Sequence, residues 1–151
     1  MENMIIDKEK FEVLAEKLYL QIMQDDYIKQ NPIIIGILNG GKIIGDYLSD
    51  KLDLNVDYIK VSSRGVPNQQ GKTSINKFID ISIGSHLLTN KPYLIVDDIV
   101  DSGLTIQIVK RLLPYSKSAV LLTKNRMLTD YYGMLLNNKN TWIDFYWENK
   151  T

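Results

Sequence analysis

The chain has no cysteine and one histidine. Without thiols there is no disulfide framework, no thiolate metal cluster and no cysteine nucleophile, and a single imidazole argues against a polyhistidine zinc site or a histidine-based triad. That residue, His86, stands in a Gly-Ser-His-Leu-Leu context without a recognisable partner and reads as structural. Charge of one sign is also missing: 18 Lys plus Arg balance 18 Asp plus Glu. No broad positive field is therefore available for nucleic acid or an anionic membrane, although a local anion site stays open. No stretch approaches the roughly 20 apolar residues that cross a bilayer, and Met1 to Lys10 mixes Ile5 and Ile6 with charge instead of forming a signal-peptide core. These absences predict a cytoplasmic protein with no nucleic-acid and no membrane partner. The 151 residues suit a single domain, 1–151, with an apolar core of its own.

What is present is an alternation of two periods. From Asp7, a candidate N-cap, to Asp26, the residues Phe11, Leu14, Leu18 and Ile22 recur at helical spacing. After Asn31-Pro32, the unbroken run Ile33 to Leu38 predicts a strand buried on both faces, as in a parallel sheet. Asn39-Gly40-Gly41 then turns the chain into a helix from Lys42 to Leu52, and Val56 to Val61 supplies the next strand. Ser62 to Ser74 is polar and rich in turn formers, which predicts a long mobile loop of the kind that usually serves function. Phe78, Ile79, Ile81 and Ile83 suggest a short strand or ribbon. Tyr93 to Val96 predicts another buried strand, Ser102 to Leu113 a helix closed by Pro114, and Ser118 to Thr123 a further strand, with an aromatic segment from Trp142 to Trp147 at the end. The order predicts an α/β domain: a mainly parallel twisted sheet with helices on both faces.

The densest chemistry lies in Tyr93-Leu94-Ile95-Val96-Asp97-Asp98-Ile99-Val100-Asp101-Ser102-Gly103-Leu104-Thr105. A buried strand runs into two adjacent carboxylates and then into a small polar turn that opens a helix. Open parallel sheets bind ligands at the carboxyl ends of their strands. At the positive end of a helix dipole, the amides and hydroxyls from Asp101 to Thr105 can converge on one phosphate. Taken singly, Asp101 or Ser102 reads as an ordinary N-cap; together the thirteen positions read as a phosphate site.

Those thirteen positions resemble the 5-phosphoribosyl 1-diphosphate signature of the type I phosphoribosyltransferases. The resemblance implies that Asp97 and Asp98 face the ribose hydroxyls with Mg2+ held nearby, at Asp98, and that Asp101, Ser102, Gly103, Leu104 and Thr105 cradle the 5-phosphate. The turn Asn39, Gly40, Gly41 and Lys42 looks like the family's diphosphate loop, where a cis peptide at Leu38-Asn39 is to be looked for. Asn39 stands where purine members commonly carry Arg or Lys, leaving Lys42 as the nearby cation. The Thr141-Trp142-Ile143-Asp144-Phe145-Tyr146-Trp147-Glu148 segment is similar to the end of the core in bacterial xanthine-guanine phosphoribosyltransferases. Carried over, Trp142 and Ile143 bracket a purine ring, Lys124 donates to its 6-oxo oxygen, and Asp101 handles the proton at N7.

The resemblance therefore implies a Mg2+-dependent purine salvage enzyme. It would transfer the phosphoribosyl group from phosphoribosyl diphosphate to guanine, xanthine or hypoxanthine, and assemble as a homodimer or homotetramer. Asp101, Asp97, Asp98 and, in the covering loop, Lys72 are its candidate catalytic residues, and that loop together with the C-terminal segment would form a small hood. The family's loop carries Arg after an Asn-Gln pair, whereas Asn68-Gln69 is followed here by Gln70, leaving Lys72 or Arg64 as the nearest cations. With Asn39, that departure motivates an alternative: a regulator that senses phosphoribosyl diphosphate or nucleotide without catalysis.

Overall fold

Asp7 starts the first helix as its residue type predicts: its side chain accepts from the Lys10 amide at 2.8 Å. The computed structural model describes residues 2–67, 73–82 and 90–148, giving only the course of the backbone over 62–67 and 73–82. The elements in chain order are β1 (Asn3–Ile6), α1 (Lys8–Gln24), β2 (Ile33–Leu38), α2 (Gly41–Leu52), β3 (Val56–Pro67), β4 (Thr73–Ser82), β5 (Tyr93–Val100), α3 (Leu104–Leu112), β6 (Ser116–Thr123), β7 (Tyr131–Leu135) and β8 (Trp142–Phe145). Six strands form one sheet in the order β4-β3-β2-β5-β6-β7. Every pairing in it is parallel except β3 with β4.

The apolar runs are explained by burial on both faces. Ile34, Leu94, Val96, Ala119 and Leu121 pack with α1 and α2 on one side, while Ile35, Ile37, Ile95 and Val120 pack with Ile106 and Val109 of α3 and with Leu113, which caps it, on the other. Each fully buried Ile or Leu contributes about 2 kcal/mol, and the polar Ser118 buried in β6 is hydrogen-bonded to Thr129. The chain leaves β2 toward β3 in one direction and leaves β5 toward β6 in the other. The crevice between the carboxyl ends of β2 and β5 is therefore the sheet's topological switch point.

Four expectations are corrected. The segment from Ser62 to Ser74 is not a loop throughout: β3 runs to Pro67 and β4 begins at Thr73, in antiparallel register from Lys60↔Ser82 to Pro67↔Thr73. An antiparallel ribbon is held by its backbone ladder and can carry polar residues on an uncovered face, so polarity alone misread it. The loop's remainder, with Lys72, lies outside the described residues, as does His86. β5 does not stop at Val96; its ladder with β6 continues through Asp97↔Val120 to Val100↔Thr123, so the acidic pair belongs to the strand. α3 starts at Leu104, two residues later than expected, because Gly103 takes a left-handed φ of 84°. Finally, β1 and β7 are strands that the sequence did not announce. β1 pairs in parallel with β8 as a separate two-stranded sheet, so the C-terminal part of the expected hood is built with the N-terminus.

Candidate active site

Asp101, Ser102 and Gly103 occupy the turn between β5 and α3. The left-handed φ at Gly103 suits glycine, and a Cβ there would also run into the Leu128 side chain. Because glycine caps α3 and no acidic residue lies in its first turn, the helix begins without a side-chain cap on Gly103. Ser102 Oγ, one residue earlier, accepts from the Leu104 amide at 3.3 Å. This turn opens on a cleft of about 110 Å³ lined by Asp97 and by the run from Ile99 to Ile106. Amides at the positive end of a helix, with two hydroxyls beside them, suit a phosphate.

The acidic pair stands next to it. The Asp98 amide donates to Asp97 Oδ1 at 2.8 Å, and the Ile99 amide to Asp98 Oδ1 at 2.7 Å. Burial raises both carboxyls above the usual carboxylate range, Asp97 most, where the neighbouring Asp98 charge adds to the effect. Across the crevice, the Asp98 carboxylate seats on Gly40, where any Cβ would overlap it. The Leu38-Asn39 peptide is cis. Together Asn39, Gly40 and Asp98 line a second compartment of about 420 Å³ with Trp147 and Glu148. Lys42 is turned to other partners: its Nζ lies 3.2 Å from Asp46 Oδ2 and 4.9 Å from the centre of the Tyr58 ring. The described lining of this compartment thus has two carboxylates and no cation.

A third compartment, of about 210 Å³, is lined by Asp98, Asp101, Lys124, Trp142, Ile143 and Glu148 among others. Lys124 Nζ lies 2.9 Å from Asp101 Oδ1; the lysine side chain is 13% exposed and the aspartate 72%. The Lys124 amide donates to the Val100 carbonyl at 3.0 Å, which fixes the lysine at the end of β5. Trp142 is 59% exposed, so it is not a core residue, and its indole Nε1 donates to Asp144 Oδ1 at 3.2 Å. Ile143 beside it is buried.

The compartments share walls. Asp97 borders the first, Asp98 the second and third, and Asp101 the first and third. The sequence-predicted residues Asp97, Asp98, Asp101, Ser102, Gly103, Leu104, Thr105, Asn39, Gly40, Lys124, Trp142 and Ile143 are thereby brought together, whereas Gly41 packs against Val96 and Lys42 pairs elsewhere. Sequence reasoning assigned no role to Glu148 or Trp147; their signal is the Trp-acidic ending of the Thr141 to Glu148 segment in which both stand.

Among the described residues no three His, Cys, Asp or Glu side chains gather as a metal cage. A pair of adjacent carboxylates with an open side fits Mg2+, which keeps several waters and shares its sphere with substrate phosphates.

The family model described as phosphoribosyl transferase domain matches residues 2–132. A xanthine-guanine phosphoribosyltransferase of Desulfotalea psychrophila is 28% identical over 140 residues, covering 91% of this chain and 81% of the relative. A hypoxanthine-guanine phosphoribosyltransferase of Streptococcus pyogenes serotype M3 is 32% identical over 120 residues, covering 78% of this chain but only 60% of the relative's length. Among solved structures, a purine phosphoribosyltransferase from Pyrococcus horikoshii superposes with a TM-score of 0.77 at 24% identity, covering 100% of this chain and 97% of the other.

Proposed function

The chain belongs to the phosphoribosyltransferase family, and from that premise we propose that it transfers the 5-phosphoribosyl group of phosphoribosyl diphosphate to a 6-oxopurine, releasing diphosphate. The observation that carries this reading is the meeting of three compartments along Asp97 to Asp101. The first suits a phosphate and the third a flat base; the second, whose described lining has two carboxylates and no cation, suits ribose hydroxyls and would take a diphosphate with Mg2+ bound.

In this reading the amides and hydroxyls of Ser102, Gly103, Leu104 and Thr105 hold the 5-phosphate. Asp97 and Asp98 accept from the ribose hydroxyls, and their charge favours the cationic ribosyl centre that develops as the C1–O bond breaks. Mg2+, when bound, neutralises the diphosphate and eases its departure; Asp98, seated over Gly40, would hold it. Trp142 and Ile143 enclose the purine ring, and Lys124 donates to its 6-oxo oxygen. Asp101 takes or holds the proton at N7. Asp101 and Lys124 pair with each other here, so the base inserts by giving each a new partner.

The test is a base panel: purified protein, Mg2+ and phosphoribosyl diphosphate, offered guanine, xanthine and hypoxanthine, with nucleotide read by chromatography. Product from at least one is expected, and none from all three would overturn the assignment. A second reading, a sensor that binds donor or nucleotide without turnover, is favoured by one observation: Lys42 is held by Asp46 and Tyr58 while the second compartment's described lining has no cation. Calorimetry separates the two, since tight donor binding without product supports the sensor alone.

A further inference from the structure

β8 carries Trp142 and Ile143, and its only strand partner among the described residues is β1. The clamp closes at both ends: the Trp142 amide donates to the Glu2 carbonyl at 2.7 Å, and the Tyr146 amide to the Ile6 carbonyl at 2.9 Å. Between them the register runs Asn3↔Trp142, Met4↔Ile143, Ile5↔Asp144 and Ile6↔Phe145. The Glu2 side chain adds a third hold. Its Oε2 accepts from Asn138 Nδ2 at 3.4 Å; the Asn138 carbonyl in turn accepts from Thr141 Oγ1 at 2.7 Å, and Thr141 is itself a wall of the third compartment.

β1 buries one side chain fully and one in part. Ile6 is fully buried among the core residues and Met4 packs partly buried against them, but Ile5 is 68% exposed and Asn3 is exposed as well. A two-stranded sheet of four residues is marginal by itself. Its backbone ladder therefore adds little apolar burial to the fold; what it fixes is where the exposed Trp142 ring stands relative to Lys124 and Asp101.

We propose that β1 is the positioning element of the base compartment and Glu2 a positioning residue within it, acting on the purine through Trp142, whose amide its carbonyl accepts, and through Asn138, which holds Thr141. The inference rests on the reading of the third compartment as the base site. It makes base affinity depend on residues 2–6, whereas the phosphate turn at Asp101 to Thr105 belongs to the main sheet and is indifferent to them. Loss of the clamp lets the ring wall drift, and misplacement of about 1 Å costs up to about a hundredfold in a positioned site.

The experiment uses the full chain with two substitutions, Glu2→Ala and Met4→Pro, the second removing a backbone donor from the middle of β1. Steady-state KM is measured separately for the purine and for phosphoribosyl diphosphate, alongside thermal melting and donor binding by calorimetry. Met4→Pro should raise the purine KM about tenfold and Glu2→Ala about threefold, with donor KM and donor affinity within about twofold of wild type. Glu2→Asp should recover part of the Glu2→Ala loss. Purine and donor KM rising together as the melting temperature falls would show a merely structural strand and overturn the proposal. If Met4→Pro does not fold, Glu2→Ala decides alone, because its exposed carboxylate can be removed without opening the core. A wild type that binds donor but turns over no purine removes the base-site reading and this inference with it; an active wild type whose variants keep their purine KM removes the inference only.

Discussion

Two Lys–Asp pairs stand at opposite ends of β6, nearly equal in length and unlike in everything else. Near the amino end, Lys117 Nζ lies 2.8 Å from Asp25 Oδ2; just past the carboxyl end, Lys124 Nζ lies 2.9 Å from Asp101 Oδ1. Asp25 is also bonded by the Tyr131 hydroxyl at 2.7 Å and the Tyr27 amide at 3.1 Å. Lys117 lies over the Tyr27 and Tyr131 rings. The Tyr27 hydroxyl in turn lies between two acceptors, the Tyr115 carbonyl at 2.5 Å and the Tyr93 carbonyl at 2.8 Å, and burial pushes its pKa up to about 12. The lysine bond first, then the tyrosine, hold the Asp25 carboxyl down at about 2. Asp101, by contrast, is mostly exposed, and among the described residues Lys124 is its one ion-pair partner. The amino end is a saturated staple joining the segment after α1 to β5, β6 and β7. The carboxyl end keeps bonding capacity in reserve, and a purine edge presents a donor and an acceptor to match it.

Substitutions at the two ends should therefore separate. The largest effect is expected from Asp101→Asn: turnover falls at least about a hundredfold while donor affinity by calorimetry stays within about twofold. Lys124→Met comes next, raising the purine KM about tenfold through loss of a charged hydrogen bond and leaving the donor KM in place. Asp25→Asn should do the reverse. It weakens the staple by about 1–2 kcal/mol, seen as a fall in melting temperature of about 3–6 °C, with turnover unchanged; a turnover loss matching that of Asp101→Asn would break the comparison.

The smallest effect is in acid. The folded pKa of Asp25 lies below its ordinary value of 3.8, so its contribution is complete above about pH 4 and is lost as pH falls toward 2. The side chain is 30% exposed, and solvent screening leaves about 1 kcal/mol. Urea unfolding of wild type and Asp25→Asn at pH 5, 4, 3 and 2 should show their stability difference shrinking by that amount across the window.

The comparison also marks what the sequence makes legible. β2, the first half of β5 and the second half of β6 show as apolar runs because both faces are covered, and the Asp7 cap and the Asp101 to Thr105 turn are local chemistry that any reader of the chain meets. β1 escapes because four residues with Ile6 in and Ile5 out are too short to show a period. The β3–β4 ribbon is legible only in part: Val56 to Val61 and Phe78 to Ile81 read as strand, while the polar stretch from Ser62 to Ser74 does not, because an antiparallel ladder is held by backbone and needs no apolar run. Lys42 had a visible signal: Asp46 lies one helical turn on, and such pairs meet. The Lys124–Asp101 pair had none, since it depends on the register Val100↔Thr123 setting the next residues of two strands side by side. Local chemistry was readable; what the sheet register brings together was not.

The most direct test is a crystal structure with guanosine 5′-monophosphate bound. The account predicts its phosphate among the amides of Ser102 to Thr105, Lys124 Nζ moved from Asp101 to the base's 6-oxo oxygen, and Lys117 still on Asp25. A phosphate bound elsewhere, or a base held with the Lys124–Asp101 pair intact, would contradict it.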